Sequence, residues 1–72
     1  MIVIPHTIAF IPWADSLFID LPDLDIPKAT SEDDWKRWAR DLININQLSA
    51  IPVPETFSNW REWAYYFVNN VS

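Results

Sequence analysis

Ten carboxylates, one histidine and five basic residues are the groups in this chain whose types could do chemistry. Six of the carboxylates fall in two clusters, Asp20, Asp23 and Asp25, then Glu32, Asp33 and Asp34. Closely spaced carboxylates suit a hard cation, but a calcium loop also needs a turn residue, normally glycine, and a distal bidentate glutamate at fixed spacing. The chain contains no glycine, and neither cluster has that pattern. A carboxyl acid or base needs burial or a like-charged neighbour in a pocket, and so small a chain has little room for one. His6 has no cysteine or serine constellation to serve. The residues therefore predict no catalytic, cofactor-binding or metal-ligating site and no enzyme; the acidic clusters read as helix caps and solvated surface.

The second chemistry to weigh is base stacking, because "WKRWAR" and "WREW" interleave cations with indoles. A net charge of -5 opposes binding to phosphates, and on a helix Arg37 and Arg40 project away from the indoles. No nucleic acid partner is expected. The apolar opening "MIVIPHTIAFIPW" lacks a basic flank and is interrupted by Pro5, His6, Thr7, Pro12 and Asp15, so it reads as neither a signal peptide nor a membrane span.

The elements that would position these residues follow from proline placement and periodicity. Residues 1–30 hold Pro5, Pro12, Pro22 and Pro27 among β-branched and aromatic residues, which predicts an extended apolar arm. "SLFIDL" at 16–21 has strand-like composition. After Pro27, Thr30 or Ser31 can cap a helix over about 32–46 whose first turn is acidic. Its apolar arc gathers Trp35, Trp38, Ala39, Leu42, Ile43 and Ile45, and Asn44 and Asn46 suit a left-handed end. Thr56 or Ser58 can cap a second helix over about 56–71. The two helices match position by position: Trp35 with Trp60, Trp38 with Trp63, Ala39 with Ala64, Leu42 with Phe67, Ile43 with Val68. The expected fold is mainly α, a two-helix antiparallel hairpin (body 31–72) with a long extended proline-punctuated N-terminal arm (1–30), the alanines letting the helices approach closely.

Two short helices cannot cover Ile2, Val3, Ile4, Ile8, Phe10, Ile11, Trp13, Leu17, Phe18 and Ile19, so a neighbouring subunit is expected to do so. The expected partner-binding residues are Ile2, Ile4, Ile8, Phe10, Trp13, Leu17 and Phe18, joined by Tyr65 and Tyr66, which project to the polar side of the second helix where tyrosine has no core to fill. On this reading, deletion of residues 2–19 leaves the helices intact and abolishes assembly.

"IPWADSLFIDLPDLDIP", "DDWKRWARDL" and "PETFSNWREWAYYF" resemble small structural proteins of tailed bacteriophages, in which a short proline-punctuated leader precedes helical segments rich in tryptophan and W-A pairs. The resemblance implies a non-enzymatic virion component, assembled in the host cytoplasm at the head-to-tail junction, the tail or the capsid surface. Its implied partners are other virion proteins and copies of itself. Two alternatives remain: a soluble regulatory module of the inhibitor or antitoxin type, and an accessory subunit of a cellular complex.

Overall fold

The structure, a computed structural model, describes Ile4 and residues 7–71. Three helices form: α1 (Phe10–Asp20), α2 (Trp35–Asn46) and α3 (Trp60–Val71). Short 3-10 turns at Glu32–Asp34 and Pro54–Thr56 precede the last two, and among the described residues no strand appears.

The expected helix over 32–46 corresponds to α2 with its preceding 3-10 turn; the one expected over 56–71 starts only at Trp60, as α3, because Phe57 is extended between the second 3-10 turn and the helix. Ser31 caps as expected, its hydroxyl accepting from the Asp33 amide at 3.2 Å. At the third helix the cap is Asn59, not Thr56 or Ser58: its side-chain oxygen accepts from the Glu62 amide at 3.0 Å.

The extended arm is corrected. Residues 10–20 are helical despite Pro12, because Pro12 is the third residue of α1. The first four amides of any helix lack an intrahelical acceptor, so a proline there forfeits no hydrogen bond. Pro22 acts where prolines do stop helices, forcing Leu21 out of the helical region (φ -127°, ψ 66°). Along the helix, Phe10, Trp13, Ala14 and Leu17 recur at helical spacing and are all buried. The strand-like "SLFIDL" lies in this helix. The chain is not an arm plus a two-helix body, since α1 shares one continuous core with α2 and α3.

The register of that core shows a third copy of the repeated phrase. Phe10, Trp35 and Trp60 begin the three helices twenty-five residues apart, and the buried residues follow in step. Trp13, Trp38 and Trp63 come next, then Ala14, Ala39 and Ala64, then Leu17, Leu42 and Phe67. All five tryptophans are buried. Their rings meet edge to face between helices: Trp13 with Trp38 at 5.7 Å, Phe10 with Trp38 at 5.2 Å, Trp38 with Trp63 at 6.1 Å. Trp63 stacks on Phe67 of its own helix at 5.1 Å. Such pairs add about 0.5–1.5 kcal/mol each beyond the area they bury.

The connectors repeat too. Ile26-Pro27 and Ile51-Pro52 also stand twenty-five apart, and each proline carbonyl accepts from the indole N–H eleven residues on: Trp38 Nε1 to Pro27 at 2.6 Å, Trp63 Nε1 to Pro52 at 2.8 Å. Each connector is thus strapped across the helix it leads into. The first strap is also clasped at its start by Asn46, whose amide donates to the Asp25 carbonyl and accepts from the Asp25 amide, both at 2.8 Å. Arg40 and Glu55 pair at 2.5 Å between α2 and the second strap; both are exposed, so the pair stabilises little and weakens with salt.

Helix α2 ends at Gln47, the one described non-glycine residue with positive φ (55°). The Leu48 amide reaches back to the Ile43 carbonyl at 3.0 Å, the six-to-one bond of a left-handed helix stop. The sequence pointed to Asn44 or Asn46 for this place, but Asn46 is drawn into the clasp. Because a side chain strains this conformation, Gln47→Gly should stabilise the protein by about 1 kcal/mol. In a domain of this size that is a rise in Tm of roughly 4–8 °C by thermal circular dichroism; a fall would show that the left-handed stop does not form in solution.

Candidate interaction surface

The expected partner-binding residues divide into four groups. Phe10, Trp13 and Leu17 are core residues, each almost fully buried by this chain's own α2 and α3, so they offer nothing to a partner. Ile4 and Ile8 are half-buried and pack against the same core. Ile2 lies outside the described residues. Phe18, Tyr65 and Tyr66 are open to solvent.

Tyr65 is 62% exposed and Tyr66 50%. They stand perpendicular to each other at 5.8 Å, and Tyr66 lies 5.3 Å from Phe57 on the strap before α3. With Thr56, Asn59, Arg61 and Glu62 they line an open hollow of about 610 Å³. Its floor is held in place by bonds already described for the strap and by Arg61, which lies over the Trp60 ring at 4.7 Å and donates to the Ile8 carbonyl. The tyrosine ring faces, two phenolic hydroxyls, a guanidinium and a carboxylate give the hollow both apolar area and hydrogen-bonding capacity, a mixture typical of protein-binding surfaces.

The internal copies show that these tyrosines are not required by the fold. Twenty-five residues earlier the same two positions are Arg40 and Asp41, and twenty-five before that Asp15 and Ser16. Polar residues serve the helix there as well. Phe57 precedes α3 in extended conformation (φ -111°, ψ 144°), partly buried against the core and beside Tyr66.

The acidic clusters do not build a site. Ser31 and the first turn of α2 use the second cluster as a helix start, and Asp25 joins the clasp through its backbone. Among the described residues no three histidine, cysteine, aspartate or glutamate side chains gather in a metal-binding arrangement. Also among them, no helix is long and apolar enough to cross a membrane.

No protein-family model matches the chain, and no match was found among curated proteins or among solved structures.

Proposed function

We propose that the chain is a non-enzymatic protein-binding subunit, a small adaptor or stabilising component of a tailed-phage virion at the head-to-tail junction, tail or capsid, and that it docks through the Tyr65–Tyr66 face of α3. The observation that carries the docking face is the exposed tyrosine pair, placed where the other two helices have Asp15-Ser16 and Arg40-Asp41. A fold that accepts polar residues at those positions has no structural use for two aromatic rings there, and exposed tyrosine is enriched where proteins bind one another. The virion setting rests on the sequence resemblance.

One observation favours a second reading, a soluble regulatory module of the inhibitor or antitoxin type. The apolar residues 10–17 are covered within the chain, so no neighbouring subunit is needed to shield them.

The test is the copy number of the chain in purified particles, for the wild type and for Tyr65→Ser/Tyr66→Ser. Exposed substitutions of this kind alter stability by about 0.5 kcal/mol or less each, so both proteins fold. Fixed stoichiometry for the wild type, falling at least about tenfold in the variant as interface hot spots do, is the expected result. Equal incorporation of the variant moves the interface elsewhere. A wild-type chain missing from particles and monomeric in solution establishes the regulatory reading.

A further inference from the structure

The same internal comparison singles out the outer face of α1. Ile19 is 82% exposed and Phe18 48%. The counterparts of Ile19 in the other helices are Asn44 and Asn69, both exposed and polar; those of Phe18 are Ile43, half-buried, and Val68, buried. Helices of this register therefore hold with asparagine at the Ile19 position and with an inward-packed aliphatic at the Phe18 position. Phe18–Ile19 is the one wholly aliphatic-and-phenyl pair of adjacent exposed side chains in the three helices; Ile45 of α2 is exposed singly, and the exposed pair of α3 is Tyr65–Tyr66 with its hydroxyls. At 100° per residue, Asp15, Phe18 and Ile19 lie on one stripe of α1; Asp20 ends the helix and Pro22 and Asp23 follow it, all of them exposed.

The charges carried by the segment that holds this stripe have one sign. Residues 1–27 contain four aspartates, Asp15, Asp20, Asp23 and Asp25, and no lysine or arginine; all five basic residues come later, from Lys28 onward. Among the described residues none of these aspartates is in an ion pair. An apolar pair flanked by Asp15, Asp20 and Asp23 is complementary to an apolar segment with a basic rim, and like charges oppose a second copy of the same face or an anionic lipid or nucleic acid surface.

We propose that Asp15, Phe18, Ile19 and Asp20 form a second docking surface, and that its occupant is a cationic amphipathic segment of another protein. The surface belongs to α1 and does not depend on the tyrosine face of α3. A chain with both faces occupied joins two partners through one small core.

The test is titration of the isotopically labelled full chain with a 14-residue leucine–lysine amphipathic peptide and with its lysine-to-glutamine counterpart, followed by amide chemical shifts. The lysine peptide should perturb residues 15–20 and leave α3 unmoved, and the neutral peptide should bind at least about tenfold more weakly because the rim charges are the discriminating contacts. Phe18→Ser/Ile19→Asn should weaken binding at least about tenfold, as loss of an apolar anchor does; Ile19→Asn installs the residue carried by α2 and α3. Should that variant fail to fold, Asp15→Asn/Asp20→Asn gives an independent reading, with affinity expected to fall about two- to tenfold at low salt and to converge with wild type at high salt. Tyr65→Ser/Tyr66→Ser should bind the peptide as wild type does, which separates failure here from failure of the tyrosine face. Perturbation centred on α3, equal binding of the neutral peptide, or unchanged binding by the α1 variants would overturn the proposal. So would concentration-dependent self-association mapping to Phe18 and Ile19, which assigns the stripe to a second copy.

Discussion

Trp13→Ala should leave a chain with little or no cooperative unfolding transition. Trp13 is almost fully buried and touches the rings of Phe10, Trp38, Trp60 and Phe67. Truncating so central an aromatic costs about 3–5 kcal/mol, while a domain of this length has roughly 4–11 kcal/mol in total. The corresponding fall in Tm is at least about 12 °C. Deleting residues 2–19 removes Phe10, Trp13, Ala14 and Leu17 together and should abolish the transition, the reverse of what an independent arm predicts. Both are read by thermal circular dichroism. Helical signal and Tm that survive either change would restore the two-helix body and refute the three-helix core.

The second large effect concerns the alanines. Ala14, Ala39 and Ala64 occupy the same place in the three copies and are buried to within a percent. Leucine at any of them has no room, and overpacking a filled core costs about 1–3 kcal/mol. The informative result is the agreement among the three: Ala14→Leu should be as harmful as Ala39→Leu and Ala64→Leu. A harmless Ala14→Leu beside two damaging ones would mean that α1 does not hold the register assigned to it.

The sequence made α2 and α3 readable because tryptophan, alanine and aliphatic residues recur there at helical spacing with no proline inside. The same spacing exists in α1, but with Phe10 in place of the first tryptophan and with Pro12 between Phe10 and Trp13. Counting prolines hid it; locating Pro12 in the first turn, where a missing amide is harmless, uncovers it. Exposure of Tyr65 and Tyr66 could be read from the helical wheel, since their neighbours at helical spacing are polar. The bonds between distant segments could not be read. Asn46 to Asp25 spans 21 residues and Arg61 to Ile8 spans 53, and side-chain type alone does not reveal which backbone will lie beside it. The Ile-Pro pairs that precede Trp38 and Trp63 by the same interval were the available sign of the straps.

The likeness of the three helices also creates a problem of identity during folding. A groove shaped for one Trp-Ala face accepts another, so a chain could close with the wrong helix, or two chains could exchange equivalent helices through the long connectors. What distinguishes the copies is hydrogen bonding that the repeat does not share. Trp38 and Trp63 are each tied to a proline carbonyl, whereas Trp13 Nε1 is buried and has no partner among the described residues. An unpaired donor there costs about 1–3 kcal/mol. The Asn46 clasp and the Arg61 reach to Ile8 have no equivalent in the other copies, which carry Leu21 and Val71, and Ile11 and Lys36, at those positions. These few polar contacts give each of three nearly interchangeable helices its own address.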